Sequence, residues 1–270
     1  MDAPGPAPDP PGIRGRLVFL PGFMTAPGSY RALLAPLQDA GLEVLVPRLY
    51  RRGWRALSGG LSVAEEAVRA CELVTSLRTT GISGPIWLGG HSRGGQAAWR
   101  CAELLATRDR AALAPPAQQA DSAEPARVWD AADPVGRAHG LVPLGSHVVG
   151  RDSSVLSGLI LVDPVDGSGR RPSGPDACAR PASFDQPTLI IGAGRGGACA
   201  PAAVNHGVFA AAAPAASHIV VAQLGHADVL CGPALTVGRA LCGGGPDPAA
   251  ARLRVSALML AAIASAQSAG

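Results

Sequence analysis

PIWLGGHSRGG, residues 85–95, joins a short apolar run, Ile86-Trp87-Leu88, to a serine enclosed by glycines, Gly90-His91-Ser92-Arg93-Gly94. This is the G-x-S-x-G pattern of a nucleophile elbow, in which a serine sits on a sharp turn between a strand and a helix. Glycine on both flanks has a steric reason, because a side chain there would collide with the elements that the turn joins. The residues that follow, Gln96 to Ala106, are rich in Ala and Leu and contain no proline, so they suit the helix that such an elbow requires.

Outward from the elbow, apolar runs alternate with helical patterns. LVFL (Leu17–Leu20) reads as a strand ending at Pro21-Gly22-Phe23, followed by a helix over Tyr30–Ala40 with Ser29 as its cap and Gly41 as its stop. LEVLVP (Leu42–Pro47) is the second strand. Val63, Ala67, Ala70, Val74 and Leu77 then repeat at helical spacing. After the elbow come LSGLILV (Leu156–Val162), TLIIG (Thr188–Gly192) and HIVVA (His218–Ala222), and a closing helix over Ala249–Ala266. Such alternation predicts an α/β fold, a mostly parallel central sheet with helices on both faces, and the G-x-S-x-G elbow within it is of α/β-hydrolase type. Ligands of such sheets lie beyond the carboxyl ends of the strands, where Phe23 and Ser92 both fall.

Residues 1–15 read as a disordered leader and 16–270 as one domain. It carries an insertion at about 107–152, a disordered segment by preference and otherwise a lid. Aromatic residues are only 4% of the chain, so the core must be built mostly from Ala, Val and Leu. The 23 basic residues are all arginine and the net charge of +3 is spread without a basic stripe, which argues against nucleic acid as a partner. The first residues lack the apolar segment of a secretory signal, and the longest apolar run, Ala257–Ala264, is short for a bilayer. An intracellular, cytoplasmic setting is therefore expected, with a plastid left open. The six cysteines form no C-x-x-C pair, so a zinc site is not expected. Free thiols suit that setting, with Cys231–Cys242 as the candidate bridge.

A serine hydroxyl needs a histidine to take its proton, and the histidine needs a carboxylate to hold its tautomer. In α/β-hydrolases these follow the nucleophile in the order acid, then histidine. Of the six histidines, His226 follows the last strand on its carboxyl side and is the expected base; His91, beside Ser92, should point elsewhere. His139 and His147 precede the last strands, and His206 and His218 are weaker candidates. No Asp or Glu occurs between Gln186 and Ala227, so the acid must come from the preceding strand, which runs straight into Asp163-Pro164-Val165-Asp166. Asp163 is the first choice and Asp166 the alternative. The backbone N–H groups of Arg93 and Phe23 are the expected oxyanion donors. Phe23, Met24, Leu49 and Tyr50 would make the pocket apolar, or else serve the core.

With these residues in place the chain resembles the chlorophyllases, serine esterases of the α/β-hydrolase fold. The resemblance is carried by Gly-His-Ser-Arg-Gly-Gly (90–95), LILVDPVDGSG (159–169), CAPAAVNHGVF (199–209), LGHADVL (224–230) and VPRLY (46–50), in order along most of residues 16–265. It implies Ser92 as nucleophile, Asp163 as acid and His226 as base. It also implies a hydrophobic ester as substrate, chlorophyll or pheophytin, cleaved to release phytol without metal or cofactor, with peripheral membrane association to reach it. Two features depart from the family and bear on the substrate. Pro21-Gly22-Phe23 stands where the family usually has His-Gly-Phe and is similar to cutinase-like and polyester hydrolases, and the 107–152 insertion is unusual. The rival readings are a cutinase- or lipase-like esterase and a non-catalytic binding protein of the same fold.

Overall fold

A computed structural model describes residues 14–49, 61–80, 84–113, 155–167 and 177–268. Within them the apolar runs pair into a six-stranded sheet. Its strands are β1 (Arg16–Leu20), β2 (Glu43–Leu45), β3 (Ile86–His91), β4 (Gly158–Val162), β5 (Thr188–Ala193) and β6 (Ser217–Val221). The order is β2-β1-β3-β4-β5-β6 and every pairing is parallel. A parallel sheet needs cover on both faces, and its inner strands are correspondingly apolar throughout. Side chains alternate between the faces. Val18, Leu20, Ile86, Leu88, Leu159, Leu161 and Ile190 enter one core with α2 (Val63–Thr79), α3 (Arg93–Leu113) and α4 (His206–Ala212). Leu17, Phe19, Trp87, Ile160, Val162 and Ile191 enter the other with α1 (Arg31–Asp39) and α6 (Pro248–Ser268). A further helix, α5 (Pro233–Cys242), lies between β6 and α6. The α/β-hydrolase reading of the sequence holds.

Several local expectations are corrected. Ser29 caps nothing: a 3-10 turn, Pro27–Tyr30, leads into α1, with Pro27 placed where a missing N–H costs least and Ala26 before it. A capping box forms instead at α2, where Ser62 accepts from the Glu65 amide at 3.2 Å and Glu65 accepts from the Ser62 amide at 2.6 Å. Strand β2 is only three residues long, against the six read from LEVLVP. Helix α3 continues through Thr107–Leu113 into the segment assigned to the insertion, because Arg and Ala there are good helix formers and no proline intervenes before Pro115. The remainder of that insertion, like residues 1–13 of the leader, lies outside the described residues. Helix α6 is long and apolar enough to cross a membrane by length and composition, more than Ala257–Ala264 alone suggested. Its Val255, Met259 and Ile263 are buried with Leu33 and Leu37 of α1, and Ser256 Oγ donates to the Leu33 carbonyl at 2.6 Å.

The register brings the carboxyl ends of the strands to one edge. Leu20 pairs with Gly90, His91 with Val162, and Val162 with Ile191. Whatever follows these residues in sequence emerges side by side.

Candidate active site

Ser92 is the single residue between β3 and α3 and has φ of 55°, a left-handed conformation that costs a non-glycine residue energy. Surrounding backbone holds it there: its N–H donates to the Val162 carbonyl at 3.2 Å, and its carbonyl accepts from Gly95 at 2.9 Å and Gln96 and Val165 at 3.3 Å each. The glycines are spatial necessities. A Cβ on Gly94 would fall 2.2 Å from the Leu20 carbonyl oxygen, and one on Gly90 would fall 2.4 Å from the Gly94 backbone. Gly95 has a separate reason, since a Cβ there would come within 2.8 Å of Pro164, in the turn that carries Asp163.

Asp163 leaves the end of β4 with φ of 41° and is buried. One carboxylate oxygen, Oδ1, accepts from the Ala193 amide at 3.0 Å, at the end of the neighbouring strand β5. The other, Oδ2, lies 2.6 Å from His226 Nδ1. His226 Nε2 in turn lies 3.0 Å from Ser92 Oγ. With Nδ1–H donating to the carboxylate, Nε2 is left to accept the serine proton. Ser92, His226 and Asp163 therefore form one hydrogen-bonded line, assembled from residues 134 and 63 positions apart.

Asp166 stands elsewhere. Fully buried, it accepts from Gln96 Nε2 at 2.7 Å and from the Ala177 and Cys178 amides at 2.7 and 2.9 Å, pinning that segment to α3. The carboxylate beside the imidazole is Asp163. Similarly, His206 and His218 face each other at 2.9 Å and are not part of the line, while His139 and His147 lie outside the described residues.

The turn that carries His226 is held by an unanticipated residue. Asp228, wholly buried, accepts from the Gly225 amide at 2.7 Å, the Gly245 amide at 2.6 Å and Arg239 Nη1 at 2.8 Å. The usual sequence sign for such a cap is a Ser or Thr three residues earlier. Here that position is glycine, so the sign is missing. Beside the turn, the His226 amide donates to the Gly196 carbonyl at 3.1 Å. The same loop carries Cys199, which is bonded to Cys242. That disulfide corrects the expectation of free thiols at positions 199 and 242, and the candidate Cys231–Cys242 bridge does not form. Cys231 is a free thiol.

The loop after β1 passes over the serine. A Cβ on Gly22 would lie 3.4 Å from Ser92 Cβ. Phe23 and Met24, the next residues, are 56% and 46% exposed. The Arg93 guanidinium lies 5.5 Å from the centre of the Phe23 ring and donates through Nε to the buried carboxylate of Glu66 at 2.9 Å. The Arg93 side chain thus ties the elbow to α2. Of the two uses read for it, Leu49 serves the core, with Leu88 and Val63; Tyr50 lies outside the described residues. Among the described residues no group of three His, Cys, Asp or Glu side chains could hold a metal ion. A cavity of about 470 Å³ opens at the opposite edge of the sheet, among Trp87, Thr188, Leu189, Ser217, Ile219 and Leu258, away from this line.

Residues 144–267, the stretch that holds Asp163 and His226, match the chlorophyllase family model. No curated protein matches the chain. Among solved structures, Est1E from Butyrivibrio proteoclasticus, with ferulic acid bound, is 12% identical with a TM-score of 0.53, covering 92% of this chain and 89% of its own. That is a likeness of fold. A hydrolase assigned to the α/β superfamily from Xanthomonas campestris pv. campestris is 18% identical with a TM-score of 0.47, covering 91% of this chain and 98% of its own. A thermophilic esterase from Thermogutta terrifontis is 16% identical with a TM-score of 0.45, covering 76% and 80%. The family match supports an ester hydrolase.

Proposed function

We propose that this chain, which matches the chlorophyllase family model over residues 144–267, is a serine carboxylic-ester hydrolase that cleaves the phytyl ester of chlorophyll or pheophytin. The observation that carries the reading is the line Ser92 Oγ, His226 Nε2, His226 Nδ1, Asp163 Oδ2, at 3.0 and 2.6 Å. In this reading His226 takes the proton of Ser92 as Oγ attacks the ester carbonyl. Asp163 keeps the imidazole in the tautomer that can accept that proton and stabilises the imidazolium that results. The oxyanion receives the amides of Arg93 and Phe23. Collapse of the tetrahedral adduct breaks the bond to the alcohol, phytol, which leaves with the proton from His226. The pigment acid remains as an ester on Ser92. Water, activated by the same imidazole, then attacks that ester, and the free acid departs while Ser92 regains its proton. No metal or cofactor enters any step, and contact with the pigment-bearing membrane belongs to the same proposal.

One observation favours a second reading. Pro21-Gly22-Phe23 replaces the His-Gly-Phe of the family directly over the serine, a form similar to cutinase-like and polyester hydrolases. The two readings share machinery and differ in substrate. Turnover of pheophytin should be compared with that of p-nitrophenyl acetate and butyrate. Release of phytol at a kcat/KM comparable with the short esters supports the first reading, and rapid cleavage of the short esters with none of the pigment supports the second.

A further inference from the structure

Two side chains beneath the site have no part in the reaction as written. Tyr30, at the end of the 3-10 turn before α1, and His91, the residue before the nucleophile, are both buried. The His91 ring packs against the His226 ring with centroids 4.8 Å apart and against Tyr30 at 5.8 Å. Nε2 of His91 lies 3.0 Å from the His226 backbone carbonyl. A carbonyl only accepts, so Nε2 must carry a proton. Nδ1 of His91 lies 2.9 Å from Tyr30 Oη, and Oη accepts from the Gly22 amide at 2.8 Å.

Protonation states leave one arrangement. Burial, and then the neighbouring His226, push His91 down to about 3 from its ordinary value near 6.5, against the opposing pull of Asp163 and of the His226 carbonyl. The imidazole is therefore neutral at pH 7, with Nδ1 bare. Burial pushes the Tyr30 hydroxyl well above its ordinary value, so it keeps its proton and donates it to Nδ1. The chain runs in one direction: Gly22 N–H to Tyr30 Oη, Tyr30 O–H to His91 Nδ1, His91 Nε2–H to the His226 carbonyl.

The geometry points to Tyr30 and His91 as positioning residues for the base, a buried relay that fixes the backbone of His226 to the loop that carries Phe23. It rests on the ester-hydrolase reading. Its two ends are the two parts of such a site that must keep register with Ser92: the imidazole and the oxyanion loop. Neither side chain meets the ester, so the relay acts on kcat. The histidine of the Gly-His-Ser-Arg-Gly-Gly segment thereby acquires a physical reason.

The test uses the full chain, p-nitrophenyl butyrate as substrate, and Tyr30→Phe, His91→Leu and His91→Gln. Tyr30→Phe and His91→Leu each remove two links of the buried chain and should lower kcat about 10- to 100-fold, with KM changed less than about twofold. His91→Gln, whose amide can donate to the His226 carbonyl and accept from Tyr30, should recover most of that loss. A purely structural role would lower the melting temperature and leave kcat within about twofold of wild type; that result would overturn the proposal. The ¹⁵N spectrum of His91 in the wild-type protein gives a second readout independent of turnover and of any variant's folding. At pH 7 it should show the Nε2–H tautomer with a slowly exchanging ring proton, and an Nδ1–H tautomer or an imidazolium would overturn the relay. A wild type that cleaves no ester would instead refute the ester-hydrolase reading, and the ¹⁵N result would then decide the relay alone.

Discussion

Asp163 and Asp166 are both buried at the end of β4, yet their partners assign them different work. Asp163 meets an imidazole, whereas Asp166 meets two backbone amides and a glutamine. Asn at 163 would present an N–H or a weaker acceptor to His226 and favour the wrong tautomer, so kcat should fall by roughly 10⁴ with a modest change in stability. Asn at 166 would turn a donor toward one of its own donors. Asp166→Asn should cost about 2 kcal/mol in a urea titration and leave kcat within a few-fold. That Asp163 would stand beside His226 was legible because no carboxylate occurs between Gln186 and Ala227; the separate contacts of Asp166 were not, since they depend on residues 177 and 178 returning to it through the fold. His91 carries a second expectation at this scale. The folded protein leaves it unprotonated down to about pH 3, while the unfolded chain takes up a proton near 6.5. Between those values the unfolded state binds more protons, so stability rises with pH and falls as pH drops. From pH 7 to pH 5 the His91 share of the loss is about 2 kcal/mol. That share should be missing from His91→Gln when the two are unfolded in urea at both pH values.

At the scale of elements, long periodic or continuous apolar segments were legible and short ones were not. β1, β3, β4, β5 and α2 follow from their hydrophobic patterns because burial on a sheet or helix face writes such a pattern directly. β2 was read in place but three residues too long, and α5, which buries none of its side chains, was not read at all. The histidine turn is the sharpest case. His226 was legible from its place after β6, but the 3-10 turn that holds it depends on Asp228 reaching Gly225, Gly245 and Arg239. Asp228→Ala would leave two buried amides and a guanidinium without their acceptor. It should lower stability by about 3–5 kcal/mol, measured by chemical denaturation, and reduce turnover as His226 loses its fixed approach to Ser92. Conservative Asp228→Asn should fall between this variant and wild type in both measurements.

Over the whole molecule, the order of strands decides what reaches the site. β1, β3, β4 and β5 lie side by side, so the segments after Leu20, His91, Val162 and Ala193 supply the Phe23 loop, Ser92, Asp163 and the loop that receives the His226 amide. The parallel α/β arrangement was legible from the alternation of elements, but the disulfide was not. Cys199 and Cys242 are 43 positions apart, and only the folded chain brings their Cα atoms to 5.0 Å. A bridge closing a loop of that length stabilises by about 4 kcal/mol through the entropy of the unfolded chain. Dithiothreitol should therefore lower the melting temperature by several degrees or more, and Cys199→Ser should show the same loss and no further response to the reductant.

The central claim is that Ser92 is a nucleophile activated by His226 and Asp163. It is tested most directly by treating the full chain with a fluorophosphonate and mapping the adduct by mass spectrometry. The account predicts one adduct, on Ser92, with none in Ser92→Ala and much slower labelling in His226→Ala. A wild-type chain that stays unlabelled, or is labelled at another residue, would contradict it.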